Sequence, residues 1–349
     1  MSSENLPRNV TLRDIAGIVG LHYSTVSLAL RDSPRLAPET RQRIQALARE
    51  LGYRPDPMLT ALNAYRRARV APHYQATIAW VNNWPRRAML YERPEFLEYF
   101  QGATARAEQL GYKLEEFWLR EPGMTPAKLA RVLRARTIQA VLLAPQFEPN
   151  TALDFDYADF AAIAFGYSLQ PAVLSVVTNH QMHSVGLLLR RLLDLGYRRP
   201  GLCIPRDMDE KVESAYLSAF LLLAWKEPTL GQVPPLLFVD DRALEADTLL
   251  VDWLGTHRPD VVVSLSYLAE RVERLGYAIP RDIGFATISI DVAEARWAGI
   301  YQNGRIIGGK AVDMAVGMLH RGERGVPEVP VRMLVEGTWR DGETVRRQG

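Results

Sequence analysis

With 349 residues, 48% of them hydrophobic and 23% charged, the chain has the size and composition of a globular protein with more than one domain. No apolar run approaches the ~18 residues of a membrane span, and residues 1–5 lack the basic and apolar parts of a secretion signal, so we expect a cytoplasmic protein. The single cysteine, Cys203, excludes an internal disulfide and a cysteine-built zinc site.

Positive charge is concentrated near the N-terminus. Residues 1–75 contain 11 arginines, no lysine and six acidic residues, a net charge of +5, whereas the rest of the chain carries −3 and the whole chain +2. Arginine side chains suit phosphate oxygens and guanine edges. A basic segment on a near-neutral chain indicates that this segment has a polyanion as its partner.

Three short helices are predicted in the basic segment. Thr11 followed by Asp14 is typical of a capping box, and apolar residues then recur at helical spacing until Gly20. A second helix is predicted over residues 23–30 and a third over about 38–51. Two short helices joined by a glycine-containing turn form a helix-turn-helix, whose second helix lies in the major groove of DNA.

Two runs of this segment carry many defined residue types at fixed spacings. They are Val10-Thr11-Leu12-x-Asp14-Ile15-Ala16-x-x-x-Gly20-x-x-x-x-Thr25-Val26-Ser27 and Thr40-Arg41, Ile44, Leu47, Ala48, Leu51-Gly52-Tyr53-x-Pro55. The first resembles the N-terminal signature of the lactose-repressor (LacI/GalR) family of bacterial transcription regulators, and the second resembles the family's third helix and exit. The resemblance implies a repressor that binds a palindromic operator as a dimer and responds to a small-molecule effector.

Two other interpretations stay open from the sequence. The chain could be a cytoplasmic small-molecule-binding protein or an enzyme that does not act on DNA, which the basic segment argues against. It could also be a DNA-binding regulator whose body does not respond to any effector.

The resemblance assigns DNA contacts residue by residue. Tyr23, Ser24 and Leu28 are expected to face base edges, and Leu28 stands where many relatives have an arginine that contacts guanine. Contacts to backbone phosphates position a protein without specifying sequence. They are assigned to Thr11, Thr25, Ser27, Thr40 and Tyr53, with Arg31 as an addition.

A hinge helix is predicted over residues 58–65, after the prolines at positions 55 and 57. Such a short helix is not stable alone in water. In the family the equivalent segment folds on operator DNA and wedges an apolar side chain into the minor groove, a position that Leu62 matches. The alternative is a linker whose Leu62 packs on the body.

Beyond the hinge, strand-like and helix-like segments alternate, which predicts βαβ units and parallel sheets. The expected fold class is therefore α/β: a helix-turn-helix domain over 1–57, a hinge and linker over 58–75, and a body over 76–349. By resemblance, this body is a two-lobed, doubly wound structure similar to periplasmic sugar-binding proteins. A ligand cleft is expected between the lobes, at the carboxyl ends of the strands.

The lobes are predicted to exchange segments late in the chain. A helix over Gly304–Leu319 should return to the first lobe and a strand over Val329–Val335 to the second. The tail from Asp341 is too short for a leucine-heptad tetramer helix, which favours a homodimer. The resulting assignment is 76–168 plus 297–323 for the first lobe and 173–294 plus 324–345 for the second.

The predicted cleft departs from the family. Tyr216, Ser266 and Ser289 stand where relatives carry charged or amide groups that hold sugar hydroxyls, and Asp291 comes two residues late. Five aromatic residues could line the cleft instead. We therefore expect an effector that is larger, flatter or less polar than a simple sugar, or no effector. The aromatic candidates are Trp84, Tyr91, Tyr167, Tyr216 and Trp297.

No enzyme motif is found. The sequence has no P-loop, G-x-G-x-x-G, H-E-x-x-H or ordered Ser-His-Asp set. His22 has no second ligand at metal-binding spacing. We expect neither an enzyme nor a cofactor nor a bound metal.

Overall fold

The computed structural model describes residues 10–30, 36–53, 76–227, 230–239, 244–290 and 296–348. The chain divides into a compact N-terminal unit and a larger body. The predicted hinge helix at 58–65 and the predicted contacts Arg31, Leu62 and Asp291 lie outside the described residues.

The described part of the N-terminal unit contains three helices, and the predicted capping box begins the first. The Thr11 backbone N–H and hydroxyl both donate to the Asp14 carboxylate, at 2.8 and 2.7 Å, and the Asp14 N–H donates to the Thr11 hydroxyl at 3.3 Å. Gly20 ends this helix with a φ of +67°, a conformation that favours glycine. The helices are α1 (Leu12–Val19), α2 (Tyr23–Leu30) and α3 (Pro38–Glu50).

The three helices enclose a small apolar core. Ile15, Val26 and Ile44, one from each helix, are fully buried, and Ala29 is also at 0% exposure. The Gln45 side chain donates to the Ala29 carbonyl at 2.9 Å, which ties α3 to the last turn of α2. The core therefore fixes which face of α2 points outward.

The described residues of the body form two six-stranded sheets and a short two-stranded one. The central strands of the larger sheets are mostly buried along their whole length, as expected where helices cover both faces of a parallel sheet. The strands are β1 (Ala76–Asn82), β2 (Tyr112–Trp118), β3 (Ala140–Leu143), β4 (Thr151–Ala152), β5 (Ala161–Phe165), β6 (Leu169–Gln170), β7 (Ser175–Asn179), β8 (Pro200–Pro205), β9 (Leu236–Phe238), β10 (Val261–Ser264), β11 (Gly284–Thr287), β12 (Ala298–Tyr301), β13 (Arg332–Val335) and β14 (Thr338–Arg340). The helices are α4 (Pro94–Gln109), α5 (Pro126–Ala135), α6 (Gln181–Asp194), α7 (Arg206–Glu210), α8 (Ala215–Lys226), α9 (Leu244–His257), α10 (Ala269–Arg274) and α11 (Gly304–Arg321), with 3-10 turns at Arg87–Leu90 and Ser266–Leu268.

The predicted α/β class is confirmed, but the predicted division into lobes is wrong at three strands. The first sheet has the order β13-β7-β5-β3-β1-β2 and is parallel throughout. The second has the order β14-β12-β11-β10-β8-β9, with β14 antiparallel to β12. The strands predicted at Val173–Val177 and Val329–Val335 therefore belong to the first lobe, and β12 belongs to the second.

The assignment of strands to lobes failed because strand pairing joins segments that are far apart in the sequence. β7 pairs with β5, and β13 pairs with β7 through Arg332 opposite Val176. Apolar periodicity identifies a buried strand but carries no information on which sheet it joins. The order of strands along the chain was therefore an unreliable guide to lobe membership.

Helix α11 does return to the first lobe, as predicted, and it packs closely on α4. A Cβ at Gly308 would lie 1.9 Å from the Tyr99 carbonyl oxygen, and one at Gly102 would lie 2.0 Å from the Arg305 carbonyl oxygen. The Arg106 guanidinium pairs with the Asp313 carboxylate at 2.5 Å across the same contact. These two glycines allow the helix backbones to approach each other.

Among the described residues, buried apolar side chains pack around Leu133 and Phe160 in the first lobe, and around Leu188 and around Phe285 in the second. Among the described residues no helix is both long enough and apolar enough to cross a membrane.

Candidate nucleic-acid interface and ligand cavity

Helix α2 exposes a polar face at its N-terminal end. Val26 and Ala29 point into the core, whereas Ser24 is exposed and Tyr23 keeps 50% of its surface accessible. The His22 Nδ1 lies 2.7 Å from the Ser24 hydroxyl, and the His22 ring packs on Tyr23 with centroids 4.5 Å apart. Both predicted base-reading side chains at this end are thus accessible and supported by His22.

The other assigned contacts are partly accessible. Thr25, Ser27, Leu28, Thr40 and Tyr53 are all half-buried. Thr11 is exposed, but its hydroxyl already donates to Asp14, so its proton is not available to a phosphate in this arrangement. Exposed arginines at 13, 43 and 49 add positive charge to the unit.

A cavity of about 920 Å³ opens where the strands of both large sheets end, as the sequence predicted. Its wall includes Trp84 after β1, Gln146 after β3, Ser289 after β11 and Gln302 after β12. The volume lies at the upper end of the ~300–1,000 Å³ of small-molecule sites.

One side of the cavity is aromatic. The Trp84 ring is 3% exposed and meets Phe96 and Phe147 edge to face, with centroids 5.9 and 5.1 Å away. The Trp84 indole N–H donates to the Pro145 carbonyl at 2.7 Å, which fixes the ring. Tyr99 packs on Phe96 at 5.7 Å and continues this wall.

The cavity wall also has a polar part that is largely buried. Gln146, Gln181 and Gln302 are 2%, 6% and 8% exposed. Gln146 accepts from the Asn83 amide at 3.0 Å, and Gln181 donates to the Thr178 hydroxyl at 3.1 Å. Each amide thus has a fixed orientation and can offer its remaining hydrogen-bonding capacity to a ligand.

Tyr216 enters the cavity from the first turn of α8. Burial raises the pKa of its hydroxyl, and the nearby Glu95 carboxylate raises it further. Burial and Glu95 act in the same way on the pKa of Tyr99, so both phenols stay protonated and act as hydrogen-bonding groups. Asp209 anchors this turn, since its carboxylate accepts from the Leu217 N–H at 3.1 Å.

Of the predicted cleft residues, Trp84, Tyr216 and Ser289 line the cavity. Tyr91 does not, because its hydroxyl donates to Glu116 at 2.6 Å. Trp297 packs on Phe285 in a core cluster.

Two further predicted positions lie outside the cavity lining. Tyr167 belongs to the core of the first lobe, with the Arg332 guanidinium 4.8 Å from its ring centre. Ser266 lies in a 3-10 turn next to Tyr267, and it is Tyr267 that reaches the wall.

The cleft does not lack polar partners, although the replacements at Tyr216, Ser266 and Ser289 led us to expect that it would. The three family positions do carry Tyr216, Ser266 and Ser289, but other positions supply polar groups. Sequence reasoning missed these side chains because it looked only where relatives hold their ligands. The described polar lining includes Glu95, Gln146, Ser168, Thr178, Gln181, Asp207, Lys211, Arg271 and Gln302.

Comparison with known proteins gives a match at the N-terminal unit. Residues 11–56 match the family of bacterial regulatory proteins, lacI family. The HTH-type transcriptional regulator GalR of Lacticaseibacillus casei is 34% identical over 113 residues, which are 32% of this chain and 30% of that protein. The aligned part thus spans less than a third of either protein.

Solved structures resemble the chain over most of its length. A complex of the transcriptional regulator CelR with cellobiose has a TM-score of 0.56 and 19% identity, and covers 96% of this chain and 100% of that one. A lac repressor dimer bound to operator and the anti-inducer ONPF has a TM-score of 0.55 and 14% identity, and covers 97% of this chain and 99% of that one. At these identities the likeness establishes the fold: a helix-turn-helix domain followed by a two-lobed body.

Proposed function

We propose that this chain, whose residues 11–56 match the lacI family of bacterial regulatory proteins, is a sequence-specific DNA-binding transcriptional regulator that represses from a palindromic operator. The observation that carries the proposal is the accessible face of α2, where Tyr23 and Ser24 are exposed while Val26 and Ala29 hold the helix in the core. A recognition helix presents its N-terminal residues to base edges in this way.

In this proposal Tyr23, Ser24 and Leu28 read bases. The tyrosine offers a ring and a hydroxyl, the serine donates or accepts, and the leucine suits a thymine methyl. Thr25, Ser27, Thr40 and Tyr53 contact phosphates. Arg31 and Leu62 belong to the proposed interface on the strength of sequence resemblance alone.

We propose a homodimer, since a palindromic operator requires a two-fold protein. One surface of the body supports this. Helix α8 leaves Leu221, Leu222 and Trp225 on a shared face, and Trp225 is 79% exposed. An apolar face of this kind is typical of a surface that a second chain covers.

The cavity is proposed to hold the effector. Its aromatic wall at Trp84 and its buried glutamines favour a ligand that combines a ring face with several hydrogen-bonding groups. Its volume of about 920 Å³ favours a ligand larger than one sugar ring. The structure of similar fold that contains cellobiose is that of another protein.

Selection from a random DNA pool tests the proposed function. The full-length protein should enrich a palindrome with two half-sites, and electrophoretic mobility shifts should show affinity that falls steeply with salt. A protein with no preference among DNA sequences would contradict the proposal and would favour the interpretation that it does not act on DNA.

A thermal-shift screen tests the effector. A ligand present at ~100 times its dissociation constant should add about 2.7 kcal/mol to the stability of the body. A ligand that stabilises the wild type but not a Gln146→Ala variant would place the effector in the cavity. Equal stabilisation of both proteins would place it elsewhere.

A further inference from the structure

Two histidines and one glutamate meet on the surface of the body. The Nδ1 of His180 lies 2.9 Å from one carboxylate oxygen of Glu336, and the Nδ1 of His183 contacts the other. The two imidazole rings are 5.4 Å apart. One potential ligand atom from each of the three side chains lies within 4.8 Å of the other two.

This cluster lies where segments pass between the two lobes. His180 follows β7 of the first sheet and leads into α6, whereas Glu336 stands between β13 of the first sheet and β14 of the second. Asn303, between β12 and α11, donates to the Glu336 carbonyl at 2.8 Å and to the Thr338 hydroxyl at 2.9 Å. The glutamate backbone is thus held in place while its carboxylate points to the histidines.

The three groups are accessible from solvent, and no other described cation competes for the carboxylate. Their side chains are 34% to 57% exposed, so an ion can reach them from solvent. Among the described residues, the two histidines are the only basic side chains that pair with Glu336. No lysine or arginine of the described chain therefore occupies the position that a cation would take.

The chemistry of the three groups selects the kind of ion. Neutral imidazole and carboxylate together suit zinc and its neighbours, whereas calcium and magnesium prefer oxygen ligands alone. Ligand atoms around tetrahedral zinc are roughly 3.3 Å apart, given bonds of about 2.0–2.1 Å. Small rotations of these exposed side chains bring the atoms to that spacing.

We propose that His180, His183 and Glu336 form a Zn²⁺ site with its remaining coordination positions open to water. The bound ion joins the segment that leaves β7 to the segment that leaves β13. None of these three residues lines the cavity, although Gln181, next to His180 in the sequence, does. The zinc site does not depend on the proposed DNA-binding function.

Zinc titration of the untagged, chelator-treated full-length protein tests the proposal. In competition with a fluorescent zinc chelator, the wild type should bind one Zn²⁺ per chain, and zinc should raise its melting temperature. His183→Gln and Glu336→Gln should each weaken binding by at least about tenfold. Magnesium chloride should not compete.

His320→Gln is the matched control, because it removes an exposed histidine that lies outside the cluster. This variant should bind zinc like the wild type. Circular dichroism without zinc verifies that each variant is folded, and His180→Gln replaces any variant that is not. A wild type without saturable binding, or cluster variants that bind zinc as tightly as His320→Gln, would overturn the proposal.

Discussion

The N-terminal unit and the cavity of the body assemble their candidate contacts in different ways. Tyr23 to Leu28 lie on one turn and a half of a single helix, and the orientation of that helix follows from a few buried residues near it in sequence. The cavity collects side chains from the ends of strands in two sheets, from Trp84 to Gln302. A substitution in the core of the N-terminal unit should therefore abolish DNA binding. A single substitution around the cavity should weaken ligand binding only in part.

The largest effect is expected in the core of the N-terminal unit. Ile44 is fully buried between the three helices, so Ile44→Ala should destabilise the unit by about 2–5 kcal/mol and remove DNA binding. Calorimetry should show the unfolding transition of the body unchanged. Ile18→Ala is the control, because Ile18 is 60% exposed and should change stability little. Equal effects of the two variants would contradict the packing described.

A somewhat smaller effect is expected where α11 crosses α4. Gly308→Ala places a methyl group against the Tyr99 carbonyl and should cost the body about 1–3 kcal/mol in chemical denaturation. Gly309→Ala is an adjacent control, since its nearest neighbour would be the Arg106 Cβ at 3.6 Å. Helix propensity favours alanine, so this variant should be neutral or more stable by up to about 1 kcal/mol. If Gly308→Ala and Gly309→Ala destabilised the body equally, the close contact between α11 and α4 at Gly308 would be contradicted.

The next largest loss of stability is expected where Asp209 anchors α8. Asp209 is 2% exposed and its carboxylate accepts from the Leu217 N–H, so Asp209→Ala should cost about 1–2 kcal/mol of body stability. It should also weaken any ligand that contacts Tyr216. Asp207→Ala removes a carboxylate that is 46% exposed, and its effect on urea unfolding should be close to zero. A larger loss of stability in Asp207→Ala than in Asp209→Ala would contradict the anchoring role of Asp209.

The same contrast explains how much could be predicted from the sequence. The capping box at Thr11 and the turn at Gly20 depend on residues three to nine positions apart, and the structure confirms both. The lobe of β13 depends on its pairing with β7, more than 150 residues earlier, and that prediction was wrong. Local spacing determines a helix cap or a turn. Pairing between distant segments determines the sheet that a strand joins.

The cavity and the histidine cluster extend this lesson. The aromatic candidates for the cleft were all assigned by residue type. Trp84, which follows β1, lines the cavity, whereas the contacts of Tyr91 and Trp297 direct them elsewhere. Glu336 is 153 residues from His183, so no spacing rule connects them. The i, i+3 spacing of His180 and His183 was the only local signal available.

The most direct test of the central claim compares two substitutions in α2 on the selected operator and on mismatched duplexes. Tyr23→Ala should reduce the preference for the operator by about tenfold or more, because a base-reading group is lost. Thr25→Ala should weaken binding to the operator and to the mismatched duplexes equally, because a phosphate contact carries no sequence information. Fluorescence anisotropy at one fixed salt concentration measures both. If Tyr23→Ala weakened operator and mismatched duplexes equally, the assignment of α2 as the sequence-reading element through Tyr23 would be contradicted.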